Sequence, residues 1–164
     1  MGRTCIDQQQ RSGMRYLALD LGDRRIGVAI SDRLGMIARP LLTLQRASRL
    51  EDFTRITRLV RENAVDCVIV GLPVNMNGTE GTRAAWARDY SAALAAAAEV
   101  PVCLWDERLT TVEAEALLRA QGKSPDKASL DACAAAVILQ SYLDAASRPG
   151  EAECSSLAKN PQLE

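Results

Sequence analysis

Residues 15–31, RYLALDLGDRRIGVAIS, constrain the fold of this chain more than any other stretch. Tyr16 to Leu21 is an apolar run of strand length, broken by one carboxylate, Asp20. Gly22-Asp23-Arg24-Arg25 then reads as a turn, and Ile26 to Ile30 as a returning strand. A carboxylate inside such a hairpin is costly if it is buried without a partner. Asp20 therefore either stands at a strand end facing water or holds a metal ion or phosphate-bound cation. In the second case Gly22 and Gly27, which lack Cβ, are expected to leave room for a bulky ligand.

The rest of the chain is read for what it brings to Asp20. Ser31–Gly35 is a turn and Met36–Leu44 a third strand, which Pro40 places at a sheet edge. Ser48-Arg49-Leu50-Glu51 is a capping box. Leu50, Phe53, Ile56, Leu59 and Val60 follow at helical spacing, which predicts an amphipathic helix over 49–63. Arg55, Arg58 and Arg61 fall off that stripe, on a solvated face. Asp66–Gly71 is continuously apolar after its first residue, the pattern of a buried parallel strand. The loop that follows, Leu72–Thr82, is rich in turn formers and amides, and its position after a parallel strand makes it a candidate binding loop.

An alanine-rich helix is predicted from Thr82 to Glu99, then a strand from Pro101 to Trp105 running into Asp106-Glu107-Arg108. Thr110-x-x-Glu113 caps a helix that stops at Gly122, 123–128 is a polar connection, and Ser129–Ala146 is the last helix, with Asp131 in its first turn. The order is β-β-β-α-β-α-β-α-α. It implies an α/β domain over 14–146, a five-stranded mixed sheet flanked by helices. Residues 1–13 and 147–164 read as a disordered arm and tail.

Composition removes whole classes of chemistry. The chain has no histidine, so Ser-His-Asp and Cys-His catalysis and the usual zinc sites are absent. Its five cysteines form no C-x-x-C pair, and reduced, buried thiols are expected. No apolar run approaches the ~20 residues of a membrane span and no signal peptide is visible, so a cytoplasmic location without membrane contact is expected. A net charge of −1 argues against strong nonspecific binding to nucleic acid. The charge is unevenly spread, however: residues 1–61 hold 12 basic against 6 acidic residues, and residues 62–164 hold 8 against 15. Seventeen of the 20 basic residues are arginine, which suits bidentate phosphate contact and equally fits a genome-wide composition bias.

Three acids occupy matching places. Asp20 lies on the first strand, Glu107 at the end of the last, and Asp131 at the start of the final helix. Singly, Glu107 reads as a surface residue and Asp131 as a complement to the helix dipole, worth ~0.3–1 kcal/mol. If strand four lies between strands one and five, the first two carboxylates converge, and a helix crossing that edge brings the third. Three carboxylates in one small volume repel each other unless a divalent cation joins them. Mg²⁺, which prefers oxygen ligands, is the natural occupant.

DLGDRRIGVAISD (20–32), VGLPVNMNGTEG (70–81), DERLTTVEA (106–114) and DACAAAVILQSYLD (131–144) resemble the YqgF family, also called RuvX. These are small bacterial proteins with an RNase H-like fold, related to RuvC-type Holliday junction resolvases. The resemblance covers about residues 14–146, with four motifs in the family's order. It implies a nuclease with Asp20, Glu107 and Asp131 as catalytic metal ligands for Mg²⁺ or Mn²⁺, and Asp106 as a further ligand. It also implies substrate contact by the loop carrying Asn75, Asn77 and Gly78, with Arg108 and Thr110. The charge argument adds Arg24 and Arg25, which flank the hairpin turn.

The implied substrate is the 5′ end of pre-16S ribosomal RNA, with ribosomal particles as partners and the chain a monomer or weak homodimer. The alternatives are a Holliday junction resolvase acting on four-way DNA junctions and a noncatalytic nucleic-acid-binding module. An actin-like phosphotransferase begins with a similar hairpin, but it needs two such domains, which 164 residues do not accommodate. The chain departs from the family pattern at the turn, where Asp23-Arg24 replaces a small hydroxyl residue and a lysine and brings an extra acid close to Asp20.

Overall fold

In the computed structural model, which describes residues 13–109, 116, 119–120, 127–148 and 155–157, the hairpin is the centre of the sheet. β1 (Tyr16–Leu21) pairs antiparallel with β2 (Arg25–Ser31), and β2 with β3 (Ala38–Gln45). On its other side β1 pairs parallel with β4 (Cys67–Leu72), and β4 with β5 (Val102–Asp106). β3 is an edge strand, and Pro40 lies opposite Ala29, where a register shift breaks the β2–β3 ladder. A proline there removes no central hydrogen bond.

The sheet has one strand more than the five expected. β6 (Ser155–Leu157) adds antiparallel to β5, giving the order β3-β2-β1-β4-β5-β6. These three residues fall in the tail read as disordered, and they cover backbone groups that β5 would otherwise leave unpaired. Three residues are too short to carry a periodic signal. The arm at 1–12 and the helix expected between Thr110 and Gly122 lie outside the described residues, apart from isolated positions.

Strand alternation sorts the core into two unlike faces. Leu17, Leu19, Leu21, Ile26, Val28, Val70 and Leu104 form a large-aliphatic face. It is covered by α1 (Arg49–Glu62) and α2 (Thr82–Ala97). The opposite face is built from smaller or aromatic residues, among them Ala18, Ala29, Cys67, Cys103 and Trp105, and is covered by α3 (Lys127–Ala146). Gln140 anchors α3 to the start of β3, its Oε1 accepting from Ala38 N at 2.9 Å and its Nε2 donating to Met36 O at 3.1 Å.

The α1 stripe differs from the pattern at its first turn. Leu50 is exposed, whereas Asp52 is buried and accepts hydrogen bonds from Ala47 N and the Tyr90 hydroxyl. The polar residue is tolerated inside because both its oxygens are partnered. Ser48 caps the helix as expected, accepting from Glu51 N at 3.2 Å.

The glycines of the hairpin serve the chain rather than a ligand. A Cβ on Gly22 would sit 2.6 Å from Arg25 O, inside the turn closed by Gly22 N donating to that same oxygen. A Cβ on Gly27 would sit 1.9 Å from Asp131 O. The room expected for a bulky ligand is filled by the first turns of α3. Gly27→Ala is therefore expected to destabilise the fold by at least the ~1–3 kcal/mol of an overpacked core, because backbone cannot step aside as a side chain can. Urea denaturation checks this; a change below about 0.5 kcal/mol, the scale of an ordinary surface substitution, would show that α3 is free to shift.

Candidate active site

Three different elements bring the candidate acids to one side of the sheet. Asp20 shares the α3 face with Tyr16 and Ala18, and its register partner across the hairpin is Gly27. Since Gly27 is where the Asp131 backbone lands, Asp131 is brought beside Asp20. Glu107 begins a single 3₁₀ turn, Glu107–Leu109, directly after β5. Its Oε1 lies 2.7 Å from where a Cβ on Gly71 would be, so the glycine at the end of β4 is what lets this side chain fold back over the sheet. Two glycine vacancies, Gly27 and Gly71, bring three carboxylates to one rim.

The electrostatics follow from that gathering. Burial pushes the Asp20 carboxyl above its usual range, the Asp131 charge adds to this, and Arg83 opposes it. Burial and then the Asp20 charge push Glu107 up to about 7, again with Arg83 opposing and Asp106 adding. Asp131 is ion-paired, its Oδ2 accepting from Arg25 Nε at 2.6 Å. Among the described residues no three acids or cysteines are already grouped to hold a metal ion.

The other candidates are placed as follows. Asp106 is held by Arg108, whose Nη2 donates to Oδ2 at 2.7 Å and whose backbone N donates to Oδ1 at 2.8 Å. Those hydrogen bonds from Arg108 hold the Asp106 carboxyl below the usual range. Arg108 also reaches toward the loop after β4, with Nη1 3.4 Å from Met76 O. The loop is closed on itself: Asn75 Nδ2 donates to Thr79 Oγ1 and Asn77 Oδ1 accepts from Thr79 N, while Gly78 takes φ +87. Arg24 is exposed in the hairpin turn. Thr110 lies outside the described residues. Arg25 and Arg108, read as phosphate contacts, are thus both engaged by carboxylates.

Sequence reasoning missed Arg83. It sits in the first turn of α2, acts on both Asp20 and Glu107, and lies 3.7 Å from Asp23 through Nη1. Its only signal was position, since it opens the helix that follows the candidate loop.

A family model described as "RuvX: Holliday junction resolvase" matches residues 14–145. The chain belongs to the RuvX family. This RuvX-family chain is 50% identical over 133 residues to a protein of Anaeromyxobacter sp. (strain Fw109-5), covering 80% of the chain and 97% of the relative. It is 46% identical over 134 residues to one of Thermoanaerobacter pseudethanolicus, covering 80% and 96%. Both relatives carry the name "Putative pre-16S rRNA nuclease". Among solved structures, Thermus thermophilus RuvC matches with TM-score 0.54 at 16% identity, over 80% of this chain and 96% of that one. RuvC of the same organism in complex with a Holliday junction substrate matches with TM-score 0.53 at 15% identity, over 80% and 95%. At that identity the likeness shows the fold, which is RNase H-like.

The raised Glu107 carboxyl has a stability signature. The folded protein keeps its proton up to about pH 7, whereas the unfolded chain releases it near pH ~4.3. Between these values the native state holds more protons than the unfolded state, so this group's contribution to stability falls as pH rises. Glu107→Gln is expected to remove that part of the slope, read from urea denaturation between pH 4 and 8. An unchanged slope would place Glu107 in water.

Proposed function

We propose that this chain is a divalent-metal-dependent nuclease acting on the 5′ end of pre-16S ribosomal RNA, with Asp20, Glu107 and Asp131 as its ion-binding carboxylates. The observation that carries this reading is the meeting of three acids at one rim of an RNase H-like sheet, two of them raised by burial and repulsion. Asp20 and Glu107 keep negative charge that Arg83 only partly offsets, and the all-oxygen donors fit Mg²⁺ or Mn²⁺. An ion held there supplies Lewis-acid stabilisation of charge on phosphodiester oxygens and a nucleophile at neutral pH.

The chain's own residues do the positioning. Arg25 fixes the Asp131 carboxylate, and Gly71 leaves Glu107 its place over the sheet end. Arg83 offsets part of the negative field that would repel a polyanion. The assignment to ribosomal RNA rests on relatives about half identical in sequence. Resolution of four-way DNA junctions is a second reading, favoured by the family's description.

Offering precursor rRNA and a four-way junction side by side with Mg²⁺ separates the two readings, and cleavage of the RNA is expected. Asp20→Asn is expected to abolish cleavage with the fold intact, a loss well beyond the roughly 10–100-fold of an outer-shell change. Wild-type activity in that variant would remove Asp20 from the site.

Mg²⁺ at a hundredfold excess over Kd is expected to stabilise the protein by ~2.7 kcal/mol. A variant combining Asp20→Asn, Glu107→Gln and Asp131→Asn should lose that gain in thermal melts. An equal gain in both proteins would place the ion elsewhere.

A further inference from the structure

The carboxylates lie on the α3 face, but the same rim opens a groove on the opposite, α2 face. Leu21, Asp23, Arg46, Pro73, Arg83 and Trp86 line it. It begins one residue from Asp20, at Leu21, and shares Arg83 with the carboxylate site. The groove holds about 240 Å³. This is below the ~300–1,000 Å³ typical of drug-sized ligands and suits one planar ring system rather than a complete cofactor.

Its chemistry is that of a base platform. The Arg46 guanidinium stacks over the Trp86 ring, with its carbon 4.5 Å from the ring centroid. Arg46 is held in that position by Nη1, which donates to Gly22 O at 3.1 Å and Asp23 O at 3.0 Å, both in the hairpin turn. Its Nε has no hydrogen-bond partner among the described residues. Tyr90 packs against Trp86, with ring centroids 5.1 Å apart. The surface offered to a base is the outer side of the Arg46 guanidinium, which the indole backs, and a guanidinium plane held this way is one on which nucleobases stack. Arg83 supplies charge for the adjoining phosphate, because its exposed 3.7 Å pair with Asp23 is of the weak surface kind.

The geometry points to a subsite for one unpaired nucleotide of the substrate strand, immediately next to the phosphodiester at the carboxylates. The base lodges against the Arg46 guanidinium, which Trp86 holds in place, and its phosphate lies at Arg83. A base turned into the groove to stack is not available to a complementary strand, so the substrate class is a strand that is single-stranded at that position. This subsite rests on the nuclease reading for the identity of the neighbouring phosphodiester.

The test uses the full-length Asp20→Asn protein and short single-stranded RNAs, with an abasic residue placed at each position in turn. Affinity is read by fluorescence anisotropy in Ca²⁺, and the cleaved bond is mapped with wild-type protein in Mg²⁺. Removing the base at one position within two nucleotides of that bond should weaken binding roughly 5- to 100-fold, the scale of one base–aromatic stack. Pairing that position with a complementary strand should do the same. On the Trp86→Ala background that base removal should cost nothing further, because two changes that break one contact are not additive.

Equal affinity for every abasic strand overturns the subsite without requiring any variant to fold. So does a Trp86→Ala protein that weakens all strands alike, which would make Trp86 a packing residue of α2. Cleavage without position sensitivity therefore leaves the nuclease reading standing and removes the subsite. Position sensitivity lost in Trp86→Ala, with no cleavage by wild-type protein, supports the subsite and removes the nuclease reading.

Discussion

The structure depends on the contact between the backbone of Asp131 and the missing side chain of Gly27. α3 can lie on β2 at that point only because no Cβ stands there. The contact sets how closely α3 approaches the sheet. Asp20 is opposite Gly27 in the ladder, so the same contact fixes the distance between two carboxylates that are 111 positions apart in sequence. Gly71 plays the matching part for Glu107 at the end of β4. Small residues on this face, Ala18 and Ala29 among them, continue the close approach along the helix.

A fold that gathers acids in this way works against its own electrostatics. Burial and repulsion both raise Asp20 and Glu107, and the described residues offset them unevenly. Arg25 takes Asp131, Arg108 takes Asp106, and Arg83 acts at longer range on the remaining two. Asp20 and Glu107 are thus the carboxylates that a nearby cation would stabilise most, since among the described residues neither forms an ion pair. Gathering partly buried carboxylates in this way costs stability.

The two faces of the sheet divide the work. The aliphatic face with α1 and α2 provides most of the apolar burial, and the face beneath α3 provides the acids. Where the faces meet, at the C-terminal ends of β1, β4 and β5, charge of both signs is exposed. Arg46 ties the hairpin turn to Trp86 there, so the turn that follows Asp20 and the helix that carries Arg83 are held as one surface. No helix among the described residues is long and apolar enough to cross a membrane.

By itself the sequence determined the order of the first five strands and of the helices at 49–62, 82–97 and 127–146, the hairpin around Asp20 and the edge position of β3, and it singled out Asp20, Glu107 and Asp131 as candidates. Those properties reside in local periodicity, turn chemistry and motif order, which need no knowledge of distant contacts. It also carried the alternation that puts Asp20 with Ala18 on one face. It did not determine what fills the space at Gly27, because an absent side chain looks the same whether a ligand or a helix occupies the vacancy. The partner of Arg25, the place of Arg83 and the burial of Asp52 were likewise decided by tertiary structure, whereas Arg108 turns back on Asp106 two residues away. The first three rest on the meeting of side chains from separate elements, and a long charged side chain carries no mark of which distant partner it reaches. β6 belongs with them: three residues become a strand only because β5 presents an edge for them to pair with.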